Sequence, residues 1–190
     1  MTVTTDRSPL TGTWNLDPAH TRIGFSARHA MVTTVRGSFT DVSGVLNLDG
    51  EDPSTSTANV VVQTASIETG QPDRDAHLRS ADFLDAEKWP TITFASTGAR
   101  SKGEDGFVLT GDLTVREVTR PVEFAITFLG SSADPFGNSR TGFEGTAEIS
   151  RKDFGLTWNV ALETGGFLVS DKVKITLDVS AIKQVAAAVS

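Results

Sequence analysis

The chain contains no cysteine and no tyrosine. The first absence excludes disulfides, thiolate nucleophiles and cysteine-based zinc sites together. The second leaves eleven Phe and three Trp as the aromatic set. Phe brings large apolar area without a polar tip, which suits an interior that offers no hydrogen-bond partners. Basic residues are also few, 17 Lys and Arg against 24 Asp and Glu, for a net charge of −7. No basic cluster stands out, so the counterion release that drives nucleic-acid binding has little to work with, and anionic membrane surfaces are disfavoured on the same ground. No apolar run reaches the length of a membrane-spanning helix. The opening residues MTVTTDRSPLTGTW lack the apolar core of a signal peptide. Taken as written, the sequence leads us to expect a cytoplasmic protein. Walker-type and dinucleotide-type glycine loops are missing, as is a G-x-S-x-G elbow, and no Ser has an evident His and acid around it.

What is present is alternation. At 190 residues the chain suffices for one hydrophobic core, and its dominant period is two, the mark of strands with one buried face. Phe107, Leu109, Gly111, Leu113 and Val115 alternate with Val108, Thr110, Asp112 and Thr114. Val122, Phe124, Ile126 and Phe128 follow, then Phe143, Ala147 and Ile149, then Val173, Ile175, Leu177 and Val179. Weaker versions occur at Ile23/Phe25/Ala27, Gly37/Phe39, Val60/Val62 and Ile92/Phe94, with a short lead-in at Trp14/Leu16. Turn signals at 48–56, 101–106, 132–139 and 163–166 separate them. Eight long strands with short connections predict an all-β fold, an eight-stranded antiparallel up-and-down barrel, because closure removes the exposed edges. The domain spans 12–183, between a flexible arm at 1–11 and a flexible tail at 184–190.

Two stretches break the alternation. In RDAHLRSADFLDAEKWPTITF, residues 74–94, a short helical insertion is expected near 73–84. Asp73, after Pro72, is placed to cap it, Asp75 to sit in its first turn, and Leu78, Ala81 and Phe83 or Leu84 to lie on the barrel. The second break, SRKDFGLTWNVAL at 150–162, reads as a loop or helical turn over one rim. Asp73, Asp75 and His77 form D-x-D-x-H, but a helix sets only Asp73 and His77 on one face, and a metal needs three or four converging ligands. We therefore expect no metal and no cofactor, with Asp75 capping and His77 satisfying local backbone groups. Asp82 and Asp85 read as solvated carboxylates.

The inward faces carry almost no polar group. Phe25, Phe39, Phe94, Phe107, Leu109, Leu113, Phe124, Ile126, Phe128, Phe143, Ile175 and Leu177 are the candidate pore residues, and Ala27, Gly37, Gly111, Gly145 and Ala147 thin the filling between them. An eight-stranded barrel is at the size where side chains either fill the interior or leave room for one ligand, and alternation alone does not separate the two. A hollow, dry pore would accept a long hydrocarbon, gaining about 0.8 kcal/mol per buried CH₂ before ordering costs.

The chain also resembles a known family. The match runs over roughly 12–182, from WNLDPAHTRIGFSARHAMVTTVRGSF through ANVVVQTASIETGQPDRDAHLRSADFLDAEKWPTITF to GDLTVREVTRPVEF, GFEGTAEISRKDFGL and VSDKVKITLDVSA. Its most distinctive piece is T-G-x-x-x-R-D-x-H-L-x-S-x-D-F followed by W-P-x-I-x-F. These motifs resemble the YceI-like proteins, polyisoprenoid-binding, lipocalin-like barrels of bacteria. The resemblance implies a hydrophobic pore holding a long isoprenoid chain, no established catalytic role, and a possible homodimer. Binding, carriage or storage of a polyprenyl lipid or prenylated quinone is the function expected. A ligand ending in phosphate would need a basic residue near a rim. Arg28, His29, Arg36, Arg74, Arg79 and Arg151 are candidates on that ground, each otherwise a solvated charge. The alternatives are an enzyme on a prenyl lipid with His20, His29 or His77 as general base, and an interaction module with a closed core.

Overall fold

A computed structural model describes residues 7–185. The outer parts of the expected arm and tail, 1–6 and 186–190, lie outside the described residues. Eleven strands carry the fold: β1 (Gly12–Leu16), β2 (Arg22–His29), β3 (Thr33–Phe39), β4 (Val42–Leu48), β5 (Thr57–Gln63), β6 (Ile67–Glu68), β7 (Thr91–Ser101), β8 (Gly106–Val115), β9 (Val118–Ala133), β10 (Ser139–Ser150) and β11 (Val169–Lys183). A single α-helix among the described residues, α1 (Pro72–Arg79), lies between β6 and β7.

Pairing reduces these eleven segments to a closed eight-stranded antiparallel barrel. Strand β11 pairs with β10 along one edge. Its other edge is shared end to end by β2, with Phe25 opposite Ile175, and β1, with Leu16 opposite Ala181. The first two strands are therefore one barrel stave interrupted at 17–21. Strands β3 and β4 pair with β2 and β1 and form a second broken stave, interrupted at 40–41. Strands β5 and β6 pair with β4 and β3 and form a third, interrupted by a 3-10 turn at Thr64–Ser66. The breaks lie side by side, for Thr40 N–H donates to Ser66 O and Gln63 N–H to Asp41 O. Strands β7 to β10 and β11 complete the ring as unbroken staves. The alternation revealed the staves and missed β4 as a separate strand, because β4 continues β3 across a two-residue bend.

Strand β6 is only two residues long, so no strand closes the wall between it and the lower end of β7. Segment 69–90, with α1, fills that place. Pro72 takes the first helical position, where its missing N–H costs nothing. The cap is Gln71, whose side chain accepts from Arg74 N–H at 2.7 Å. This corrects the expected Asp73 cap: Asp73 takes the second helical position, in the first turn, where it faces the dipole instead. Asp75 is buried and accepts from the backbone N–H and hydroxyl of Thr69. Arg79 ties the other end to the barrel by donating to the carbonyls of Ala65 and Ile67.

The inner part of the expected N-terminal arm is also packed. Ser8–Leu10 form a 3-10 turn, Leu10 is buried, and the Trp14 indole N–H donates to Leu10 O at 2.7 Å. The physical reason is the indole itself, which at 1% exposure needs an acceptor that only the arm supplies. Leu10 and Trp14 join Leu46, Val62 and Phe128 in a cluster at one end of the barrel. Ile67, Leu84, Leu113, Phe124 and Phe154 form a second cluster toward the other. Among the described residues no helix is long and apolar enough to cross a membrane.

Candidate functional site: an apolar cavity along the barrel

The interior is hollow. A cavity of about 350 Å³ runs along the barrel between the two clusters, within the range of small-molecule sites. Phe107 and Val115, both on its wall, are eight residues apart on β8, about 27 Å along the strand at 3.4 Å per residue. Allowing for a strand tilt near 40°, the cavity is on the order of 20 Å long. Every candidate pore residue lies on its wall except Phe128. Phe128 instead packs on Phe143, ring centroids 5.6 Å apart, within the cluster built around Leu10 and Trp14. The packed N-terminal turn at this end adds the apolar cover that makes Phe128 core rather than wall.

Rings set the shape of the interior. Phe94 meets Phe124 edge to face at 5.3 Å, and Phe25 lies tilted against Phe39 at 5.9 Å. The glycines expected to thin the filling do something narrower. A Cβ on Gly37 would stand 2.4 Å from the Phe25 ring, and one on Gly111 would stand 2.4 Å from the Phe94 ring. Each missing side chain is the bed of a neighbouring phenyl, so the space is used, not empty. Gly145 is likewise covered by Ile126 and Leu177.

Leu78, Phe83 and Leu84 bring the helical insertion onto the cavity wall, while Ala81 is exposed. His77 does not bond to backbone as expected. Its Nε2 pairs with Asp82 Oδ2 at 2.8 Å, and its ring packs edge-on against Phe83 at 5.0 Å and Trp158 at 4.6 Å. These three rings join the insertion to the 155–168 loop. Asp82, expected to be a solvated carboxylate, is the partner in that pair.

Polar groups reach the cavity only near its ends. At one end stand Arg7 and Asp49. Arg7 pairs with Asp105 at 3.2 Å and lies over the Phe107 ring at 5.0 Å. The backbone N–H groups of Asp52 and Glu51 hold the Asp49 carboxyl below its ordinary value, so its charge is engaged within its own loop. At the other end stands Arg151, 3% exposed. Its guanidinium donates to the carbonyls of Ser170, Leu156, Trp158 and Val169 and forms no ion pair among the described residues. Burial lowers its pKa from the ordinary value, and arginine keeps its charge regardless.

The other basic candidates lie off the cavity. Arg28, His29 and Arg36 are exposed, and Arg74 is tied to Thr69. Arg79 serves β6, as described. No histidine lines the cavity: His20 pairs with Asp17 at 2.7 Å and is largely exposed. Among the described residues no group of three His, Cys, Asp or Glu is placed to hold a metal ion. Arg151 was the residue hardest to single out from sequence, since SRKDF looks like any charged surface turn.

Comparison with known proteins agrees with this architecture. A UPF0312 protein of Ectopseudomonas mendocina is 38% identical over 165 residues, 87% of this chain and 83% of that protein. The solved structure of BcnA from Burkholderia cenocepacia matches with a TM-score of 0.75 at 22% identity, over 87% of this chain and 98% of that one. A polyisoprenoid binding domain from Saccharophagus degradans matches with a TM-score of 0.65 at 14% identity, over 90% and 98%. The YceI-like domain model matches residues 14–181. With nearly the whole barrel inside that match, the chain belongs to the YceI-like family.

Proposed function

We propose that this protein binds and carries one long-chain isoprenoid, or a similarly long apolar lipid, in the barrel cavity. The observation that carries this reading is the cavity itself, long, narrow and walled by hydrocarbon. The likeness to a polyisoprenoid binding domain supports the ligand class. Such walls reward an apolar chain at about 0.8 kcal/mol per buried CH₂ and offer a sugar or nucleotide nothing to bond. The ligand's polar end belongs beside Arg151, a buried cation held by carbonyls and in no ion pair among the described residues, and its tail runs toward Phe107. The absence of any histidine from the wall leaves the general-base alternative without its base.

The test is mass spectrometry of an organic extract of the purified protein, beside the intact protein under native conditions. A stoichiometric polyprenyl species is the expected result, depleted in the Leu109→Trp variant, which obstructs the cavity. A protein that neither arrives loaded nor takes up an added polyprenol would overturn the proposal.

A further inference from the structure

The cavity reaches Ala27 on β2 and Val169 on β11, and beyond that level the β2–β3 hairpin continues to a turn at Ala30 and Met31. From Ala27 to Ala30 is about 10 Å of strand. This turn is unusual in two respects. Ala30 and Met31 both have positive φ, 48° and 65°, and Val32 N–H donates to His29 O across them. With His29 paired to Thr33 the loop is residues 30–32, and its two left-handed positions are ones that Asn-Gly fills without strain and that a Cβ resists. The strain is accepted with large apolar side chains pointing outward: Met31 is 64% and Val32 75% exposed. Beside them, Phe167 and Val160 of the neighbouring loop are also exposed, and Ala30 N–H donates to Leu168 O, which keeps hairpin and loop together.

Charge follows the same pattern. Across the whole chain acids outnumber bases, yet residues 18–40 contain no Asp or Glu and hold Arg22, Arg28 and Arg36. Arg28 and Arg36 are exposed on the flanks of the tip, and Arg28 lies along the hairpin by donating to Val32 O and Thr34 Oγ1. In the adjoining loop Lys152 sits 6.0 Å from the Phe167 ring. On the loop side Asp153, Glu163 and Asp171 offset Lys152 and the buried Arg151, so the cationic part of this edge is the acid-free hairpin beside the apolar tip.

We propose that this edge docks onto an anionic lipid surface, with Met31, Val32 and Phe167 entering the headgroup layer and Arg28 and Arg36 meeting lipid phosphates. The proposal departs, for this edge alone, from the expectation drawn from net charge that anionic membranes are disfavoured. The proposal goes beyond the lipid-carrier reading and supplies it with a loading port, because the docked edge is the cavity end nearest Arg151.

The test is sedimentation of the full chain with vesicles of equal parts phosphatidylcholine and phosphatidylglycerol, against phosphatidylcholine alone. The parent should bind the mixed vesicles and lose most binding at high salt. The double variant Ala30→Asn with Met31→Gly should unfold at higher temperature, since the turn is relieved, yet bind about tenfold more weakly. Arg28→Gln should weaken binding about fivefold. Vesicle-indifferent parent protein, or a double variant that binds as well as the parent, would overturn the proposal. The measurement needs no isoprenoid. A protein that docks but never carries lipid would sink the carrier reading alone, and a lipid-loaded protein that ignores vesicles would sink only the docking.

Discussion

At the residue scale, polar side chains earn their places by what they hold together. Arg140 donates to Asp17 Oδ2 at 2.5 Å and to Asp134 Oδ2 at 2.8 Å, joining the end of β1 to the β9–β10 turn. The Arg140 bond holds the Asp17 carboxyl below its ordinary value, and Asn138 followed by Arg140 does the same for Asp134. Both folded values lie below the ordinary 3.8, so the stabilisation is fully present above that pH and is lost as pH falls through the lowered values. Asp134→Asn should therefore be less stable than the parent at neutral pH and converge with it in strong acid, as followed by denaturant unfolding across pH. Trp14→Phe should cost about 1–2 kcal/mol, because the Leu10 carbonyl loses its donor inside a closed cluster. Little of this was legible in sequence. A charged residue's burial depends on which distant carbonyls it meets, and SRKDF gives no sign that Arg151 will meet four.

At the element scale, alternation succeeded where strands are long and have one wet face. It put Phe107, Leu109, Leu113, Phe124, Ile126, Ile175 and Leu177 on the inner face, and all of them lie on the cavity wall. It did not show where packing fills the interior, as at Phe128, which is inward but off the cavity, or where a strand pauses, as between β3 and β4. It also could not distinguish a glycine that leaves space from one that houses a neighbour's ring. Gly37→Val should drive the Phe25 ring off its bed and into the cavity and push β6 away at the Glu68 carbonyl, 2.7 Å from where the new Cβ stands. The expected outcome is a folded protein, destabilised by about 1–3 kcal/mol, with a smaller capacity for polyprenol in a titration. The helical insertion behaves differently. Its contact with the far loop rests on His77, Phe83 and Trp158, so Trp158→Ala should leave the barrel intact while speeding exchange of a bound lipid. Unchanged release kinetics would argue that this cluster plays no part in retention.

At the scale of the whole molecule, the barrel closes by joining its two chain ends, for β1 pairs with both β4 and the last residues of β11. The pairing of Trp14 with Lys183 spans nearly the full described chain. Contacts so distant in sequence form late, so folding should be slow for a domain of this size. Removal of residues 181–190 should leave β1 without that partner and abolish cooperative unfolding in calorimetry. The closed, eight-membered ring was legible from strand count and the need to hide edges. The three interrupted staves were not, because Thr64–Ser66 and the bend at 40–41 carry no strong turn signature.

Those interruptions, at 17–21, 40–41 and 64–66, stand next to one another across three adjacent staves. A sheet resists bending most where its ladder is continuous and yields where the ladder stops. The aligned breaks thus set a crease in the sheet, bridged by the Thr40–Ser66 and Gln63–Asp41 bonds, with the panel of β2, β3 and β6 on one side of it. If the cavity holds the proposed lipid, a side creased in this way would let chain length be graded by the stiffness of that panel instead of being cut off by a hard wall.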